Sequence, residues 1–409
     1  MRQRSPLLPI FLIVLVDVLG FTIVIPLLSL YAERFGASPF VATLIVSVYA
    51  ACSLISTPVI GNLSDKYGRK RMLLISQAGT FCGFIILGTS NALWMVFLGR
   101  ILDGITAGNL SIAQAYISDH TTSENRAKAF GIIGIAFGIG FMIGPVLSGY
   151  LSKWGGMHLP FLVSAGLSAL SICATTFLLP KEKPPEPDAA IIGPGGKRPS
   201  AFDISTYQEY FRRPTLGGIY LQFFLFTFAF SCFTSGMAMF AEHKFGWDAE
   251  QTGKLFAYSG FCGAILQGGL IGRLVKKFGE VKLVIQGFVA AIISYVLVGY
   301  SQGWFLLLFA GLFSAFGNGV LRPVLTSRIT QAVGRHEQGT AIGISGSLSS
   351  FAMTMAPPTG GIFLDNGWLL GWAIVPATVC LLGLFAAIAT RNKGPDTSTL
   401  PKATLHSGG

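Results

Sequence analysis

From Leu7 to Leu30 the chain carries a single ionisable side chain, Asp17. A run of about 20 apolar residues is what a helix needs to cross ~30 Å of hydrocarbon. Such runs recur along the chain, many with one charge or none. Of the 409 residues, 52% are hydrophobic and 11% are charged. A soluble domain of ordinary composition has roughly a quarter of its residues charged. The sequence therefore specifies an all-α polytopic membrane protein. The first run is too long for the core of a cleavable signal peptide.

The runs predict twelve spans, at about 7–32, 40–60, 73–91, 93–117, 127–150, 158–179, 215–240, 250–271, 283–301, 304–326, 338–363 and 368–390. The segment 180–200 is rich in Pro, Gly and charge and divides them into two sets of six. Residues 202–213 suit either a short amphipathic helix on the membrane surface or a partly ordered linker. The expected layout is an N-terminal six-helix half over 1–180, a cytoplasmic linker over 181–213 and a C-terminal six-helix half over 214–392. A disordered cytoplasmic tail follows over 393–409. With the amino terminus placed inside, only Arg34, Lys153, Lys244 and Lys254 among the loop bases fall outside. Lys and Arg concentrate on the cytoplasmic side of membrane proteins. Both termini are therefore expected in the cytoplasm, and the net charge of +11 reports orientation rather than nucleic-acid binding. The six cysteines and five histidines show no metal-ligand spacing, so no metal is expected.

One loop stands out: Gly61-Asn62-Leu63-Ser64-Asp65-Lys66-Tyr67-Gly68-Arg69-Lys70-Arg71-Met72. It packs an acid, a run of bases and two glycines between two apolar runs. It returns in degenerate form as Gly272-Arg273-Leu274-Val275-Lys276-Lys277-Phe278-Gly279-Glu280, an offset of about 211 residues. At that offset Gly108 falls on Gly319, and Pro145 and Gly149 fall within a residue of Pro357 and Gly361. Two parallel six-helix halves are the expected architecture.

These residues resemble the major facilitator superfamily. Gly61, Asp65, Gly68, Arg69 and Lys70 look like its signature loop between helices two and three. Leu98-x-Arg100-x-x-Asp103-Gly104 looks like its helix-four motif, with Asp103 where glutamine is frequent. Asp119, followed by Arg126 and Gly131, resembles the loop into helix five. Gly140-x-x-x-Gly144-Pro145-x-x-Ser148-Gly149 resembles its helix-five antiporter motif, with Ser148 in place of a glycine. Asp17-Val18-Leu19-Gly20 and Pro26 look like the first helix of the tetracycline-efflux branch of drug:proton antiporters. The resemblance implies that Asp65 and Arg69 hold the cytoplasmic ends of the two halves together in the outward-facing state, with Asp119 a partner for Arg69. It implies an exporter, and protons as the coupling ion with no other cofactor. It also implies a compact transporter of a bacterial inner membrane, here expected as a monomer whose partners are a small-molecule substrate and membrane lipid.

Four charges, Asp17, Arg100, Asp103 and Arg322, lie inside predicted spans. Each costs roughly 2.5–3.5 kcal/mol near mid-bilayer if unpaired and facing lipid. They must pair, protonate or face a cavity. Arg100, Asp103, Ala107, Ser111 and Gln114 follow helical spacing, as do Ser314, Asn318, Arg322 and Thr326, so each set marks one side of a helix. Ser111, Gln114 and Asn318 join the four charges as expected cavity residues. Arg100 and Asp103, three apart, can pair with each other. Asp17 has no basic neighbour in its own span, which suits a proton carrier, with Asp103 the competitor. Arg322 can pair with Asp17 across the halves or hold an anionic group of the substrate. Gln222 lies beside Phe223, Phe224, Phe226, Phe228, Phe230 and Phe233, a subset of which can wall an apolar site.

The reading that unites these features is a proton-coupled exporter of amphipathic small molecules or drugs, working by alternating access. A transporter of a defined polar or anionic metabolite, possibly by symport, is the alternative. No GxSxG, HExxH or Walker loop is present, which counts against an enzyme or a self-contained ATP pump.

Overall fold

The structure, a computed structural model, describes residues 7–120, 123–180, 204–334 and 337–391. The tail and most of the expected linker lie outside the described residues. No strand occurs among those described. The first half comprises α1 (Leu7–Glu33), α2 (Pro39–Tyr67), α3 (Arg69–Gly88), α4 (Leu93–Ile105), α5 (Asn109–His120), α6 (Ser123–Gly155) and α7 (Leu159–Leu178). A short helix, α8 (Ile204–Arg212), precedes the second half. There follow α9 (Pro214–Phe245), α10 (Ala249–Ile265), a π-helical turn at Leu266–Leu270, α11 (Ile271–Phe278) and α12 (Glu280–Tyr300). The chain continues through α13 (Trp304–Gln331), α14 (Gln338–Asp365) and α15 (Leu369–Ala389).

Among the described residues, nine helices are long and apolar enough to cross a membrane. The three other predicted spans depart for visible reasons. The fourth is broken between α4 and α5 at Thr106–Gly108. The eighth is interrupted by the π-helical turn. The eleventh, α14, is continuous but rich in Gly, Ser and Thr. Large apolar side chains such as Phe177, Phe305 and Phe385 point outward, as a lipid solvent allows.

The repeat read from the sequence is also a repeat of packing. In the first half α1 packs on α6 and α7, α3 on α7 and α4, and α2 on α4. In the second, α9 packs on α14 and α15, α12 on α15 and α13, and α10 on α13. Helix by helix these are the same pairs. Gly108 sits against Ile60 of α2, and its counterpart Gly319 sits against Leu266 after α10. Gly68 and Gly279 each end one helix and start the next at φ +94° and +76°. Only glycine takes that conformation without strain, which is why these two survive in the repeated loop.

The halves meet chiefly along two seams, α2 with α14 and α6 with α10, with α1 also touching α9. A Cβ on Gly149 of α6 would lie 2.7 Å from the Cα of Glu250 and 3.0 Å from the Ala249 carbonyl oxygen. Its repeat partner Gly361, on α14, is equally tight against Phe40 and Thr43 of α2. Small residues let helix backbones approach where lipid supplies no hydrophobic drive. Lys153 and Lys254 both reach the Glu250 carboxylate, at 2.8 and 2.7 Å, and the first of these bonds crosses the seam. At the other end, where the basic loops lie, the halves part. Gly61 and Gly343 lie about five turns further along the faces that carry Thr43 and Gly361. A Cβ on either would meet nothing within 4 Å. Among the described residues the α2–α14 seam is therefore tight at one end and parted at the end bearing the basic loops.

The expected surface helix is α8, and it packs on the second half. Arg213 holds Glu337 at 2.8 Å and Glu209 at 2.9 Å. The Glu337 carboxyl is held below its usual range by that guanidinium. Tyr207 and Ser347 of α14 share a hydrogen bond of 2.8 Å.

Replacing Gly149 with Val would drive a side chain into the α10 backbone. A Lys153→Cys, Glu250→Cys pair should cross-link readily in the otherwise unaltered chain and severalfold less once Gly149→Val is added. Undiminished cross-linking would show that this glycine does not set the seam.

Candidate functional site

The buried charges of the first half form one polar core. Arg100 and Asp103 of α4 are almost fully buried and pair at 2.7 Å. Thr80 of α3 donates to the other Asp103 oxygen at 2.9 Å. The Arg100 guanidinium lies 4.1 Å from the centroid of the Tyr49 ring on α2, a cation–π contact inside the bundle. One turn from Thr80, Gln77 donates to Ser171 of α7 at 2.7 Å. Asp17 of α1 lies beside Gln77 and Ser171, with the Asp103 carboxylate also close by. Two buried polar atoms of this core, Arg100 Nε and Gln77 Oε1, have no partner. A buried network left partly unsatisfied is unusual and marks a place where protonation or a bound group can change the bonding.

The core is held by a gap in the fourth span. The chain leaves helical geometry at Thr106–Gly108, which frees backbone carbonyls in the membrane interior. Ser56 donates to the Gly104 carbonyl at 2.6 Å, and Thr57 to that of Ala107 at 3.2 Å. Ser76 of α3 donates to that of Thr106. Three hydroxyls on neighbouring helices thus replace the missing helical bonds. The break also cancels the face predicted from Arg100 to Gln114. Arg100 and Asp103 are buried, whereas Ser111 and Gln114 lie beyond the break on α5 and are partly exposed. Ser111 donates to the Gly108 carbonyl at 2.9 Å.

The basic loop forms a clasp within the first half. Arg69 bonds Asp119 at 2.9 Å and Ser64 at 2.6 Å, and it pairs with Asp65. Lys70 reaches the carbonyls of Thr176 and Leu179 beyond α7 and at its end. Asp119 is thus the partner of Arg69 that the sequence suggested. These ion pairs and hydrogen bonds of the clasp all stay within the first half. The side chain of Arg126 lies outside the described residues. On α6, Gly140 and Gly144 take the contact with Val18 and Thr22 of α1, and Thr22 donates to the Gly140 carbonyl at 3.0 Å. A Cβ on Gly253 of α10 would lie 2.4 Å from the Pro145 carbonyl. The glycines of this motif therefore serve two faces: α1 within the half and α10 across the seam.

In the second half the predicted residues separate. Gln222 is fully buried and donates to Thr390 at 2.8 Å, so it braces α9 against the end of α15 instead of lining the cleft. Phe223, Phe226 and Phe233 are buried as well, Phe233 stacking on Trp372. Phe224 instead meets Phe228 and Phe351 of α14 at centroid distances of 6.0 and 6.1 Å, an aromatic cluster with Phe351 exposed. Asn318 of α13 donates to Ser314 at 3.0 Å. Arg322 does not pair with Asp17; its side chain is exposed. Composition and spacing missed Tyr49, Gln77, Thr80 and Ser171. The available signal was polar residues inside apolar runs, Gln77 above all.

Comparison with known proteins agrees with this geometry. The family model described as Major Facilitator Superfamily matches residues 10–279 and 219–406. The class B tetracycline resistance protein of Escherichia coli is 28% identical over 384 residues, covering 91% of this chain and 93% of that protein. Multidrug resistance protein 2 of Bacillus subtilis (strain 168) is 26% identical over 403 residues, covering 96% and 97%. Among solved structures, the human organic anion transporter MFSD10 (TETRAN) superposes with a TM-score of 0.69 at 22% identity, covering 95% of this chain and all of that one.

Breaking the buried pair of α4 leaves one charge uncompensated. Arg100→Ala or Asp103→Ala should each cost about 3–5 kcal/mol of stability, and Arg100→Leu with Asp103→Leu should recover most of it. Thermal unfolding of the purified protein reads the difference. Single variants as stable as the parent would show that the pair does not hold α4.

Proposed function

The chain belongs to the Major Facilitator Superfamily, and on that premise we propose that it is a proton-driven exporter of amphipathic small molecules or drugs. It is a multi-pass integral membrane protein, here assigned to a bacterial inner membrane with both termini in the cytoplasm. The assignment draws on the bacterial relatives and on the basic loops at the open end. It acts as a monomer, as a transporter rather than an enzyme, with protons as its only coupling ion.

The observation that carries the reading is the polar core of the first half. Two carboxyl groups, Asp17 and Asp103, are held in the membrane interior between helices that pack on a seam closed at one end only. Asp103 is already committed to Arg100 and Thr80. Asp17 has no ion-pair partner among the described residues and lies beside the neutral Gln77 and Ser171. Protonation there replaces a charge that no counterion neutralises with a neutral group, so Asp17 is the carrier and Asp103 stays bound to Arg100. Proton entry driven by the membrane potential supplies about 2.3 kcal/mol per charge per 100 mV. A proton can move the equilibrium between the two ends only by binding one form more tightly than the other. Phe224, Phe228 and Phe351 offer the apolar wall against which a greasy substrate would lie.

The alternative, a transporter of a defined polar or anionic metabolite by symport, has the exposed Arg322 in its favour. The direction of proton movement separates the two. In proteoliposomes carrying a pH-sensitive dye, substrate added on one side should drive protons the opposite way. Asp17→Asn should abolish this, and Asp103→Asn should impair it. Protons that travel with the substrate would replace the exporter by the symporter. Full coupling in Asp17→Asn would remove the carrier role.

A further inference from the structure

We propose that the second half carries a binding subsite for an oxyanion, a carboxylate or phosphate borne by the transported molecule, built on Arg322 beside the π-helical turn after α10. The proposal rests on the transporter reading above and names the class of its substrates.

Arg322 differs from the other charges of the membrane interior. Arg100 is neutralised by Asp103, and Asp17 lies beside the polar side chains of Gln77 and Ser171. Arg328, two turns on, reaches the Gln222 carboxamide oxygen at 3.5 Å. Arg322 engages the rest of the described protein only through its own carbonyl, which accepts from Thr326. Its guanidinium makes no hydrogen bond or ion pair among the described residues. A planar cation with five donors and no partner is suited to a carboxylate or phosphate, which it can grip with two parallel bonds.

Helical spacing sets Arg322 off the lipid-facing stripe of α13. Phe305, Phe309 and Leu312 mark the lipid-facing stripe of α13. Arg322 lies about three turns along from Gly311 on a different stripe. Gly311 touches Tyr258 and Ser259 of α10, so Arg322 looks towards the continuation of that helix.

There the continuation is irregular. Residues Leu266–Leu270 form the π-helical turn, with the Ile271 N–H bonded to the Leu266 carbonyl. Leu266 and the exposed Gln267 pack against Gly319, three residues before Arg322. A Cβ on Gly269 or Gly272 would meet nothing within 4 Å, so space lies open beside the turn. Single π-turns inside helices cost regular hydrogen bonds and gather at functional sites.

A third group completes the subsite. One turn before Arg322, Asn318 donates its amide to Ser314 at 3.0 Å, while its Oδ1 is buried without a partner. The subsite therefore sets an exposed cation one turn from a carboxamide whose buried oxygen has no partner. It suits an anionic group. At the repeat offset of about 211 residues the first half has Ser111 in place of Arg322, so the subsite is single.

The test uses the full-length protein in non-ionic detergent and two fluorescent probes, anionic carboxyfluorescein and cationic rhodamine 6G, with equilibrium binding read by anisotropy. In Arg322→Gln the ratio of the two affinities should shift about tenfold or more against carboxyfluorescein. Arg322→Lys, which keeps the charge, should restore most of it, and Asn318→Leu should shift the ratio the same way by a smaller factor. Equal loss of both probes in Arg322→Gln and Arg322→Lys would assign Arg322 a structural role and overturn the proposal. A second arm compares nanodiscs with and without phosphatidylglycerol. If Arg322→Gln removes stabilisation by that lipid and leaves the carboxyfluorescein ratio unmoved, the anion is a headgroup and the proposal falls. The ratio is an equilibrium quantity, so failure of proton-coupled export would sink the transport reading without deciding the subsite.

Discussion

Lipid offers no hydrogen bonds, and that constraint decides where this chain can depart from a regular helix. An unsatisfied backbone group in hydrocarbon costs several kcal/mol. The break between α4 and α5 is tolerated because Ser56, Thr57 and Ser76 reach the carbonyls it exposes. The break in turn ends α4 just beyond Asp103, whose side chain is anchored by Arg100 and Thr80. The polar core of the first half thus depends on hydroxyls that a hydropathy profile treats as minor blemishes in apolar runs.

The same absence of solvent explains the seams. Without a hydrophobic drive between helices, association relies on close backbone contact. Gly149 and Gly361 provide it at symmetry-related places near the closed end. About five turns further, Gly61 and Gly343 present the same small surfaces with nothing against them. A seam with matching contact sites at both ends, only one of them engaged, can rock between two closures without repacking either half. The Arg69 clasp to Asp65 and Asp119 keeps the open end of the first half rigid while it waits.

Much of this was legible in the sequence because it is written in periodicity and repetition. The offset of about 211 residues foretold the equivalent packing of Gly108 with Gly319 and of Gly149 with Gly361. The Arg100–Asp103 pair followed from a spacing of three, and Asp119 was a natural partner for Arg69. What failed did so at interruptions. Helical spacing assumes a continuous helix, and Thr106–Gly108 breaks it, so Ser111 and Gln114 do not share the surroundings of Arg100 and Asp103. Gln222 looked like a cavity residue because one sequence cannot say which side of a helix faces a neighbouring helix. Thr390, its partner, is distant in the chain. Tyr49, Gln77, Thr80 and Ser171 were missed for that reason too: their role comes from meeting between helices.

The placement of charge gives the proposed cycle its logic. Arg100 and Asp103 cancel, which leaves one uncompensated carboxylate in the first half, Asp17, and one uncompensated guanidinium in the second, Arg322. Among the described residues these two do not pair, Asp17 being half-buried and Arg322 exposed. Keeping them apart leaves each half free to take its own ligand in the cycle proposed above, the first a proton and the second an oxyanion. A direct Asp17–Arg322 bond would satisfy both and lock the halves together. Because the charges stay in different halves, filling one site changes the field at the other without bridging the seam. That is the arrangement a carrier needs if ligand and proton are to bias its two ends without fixing either.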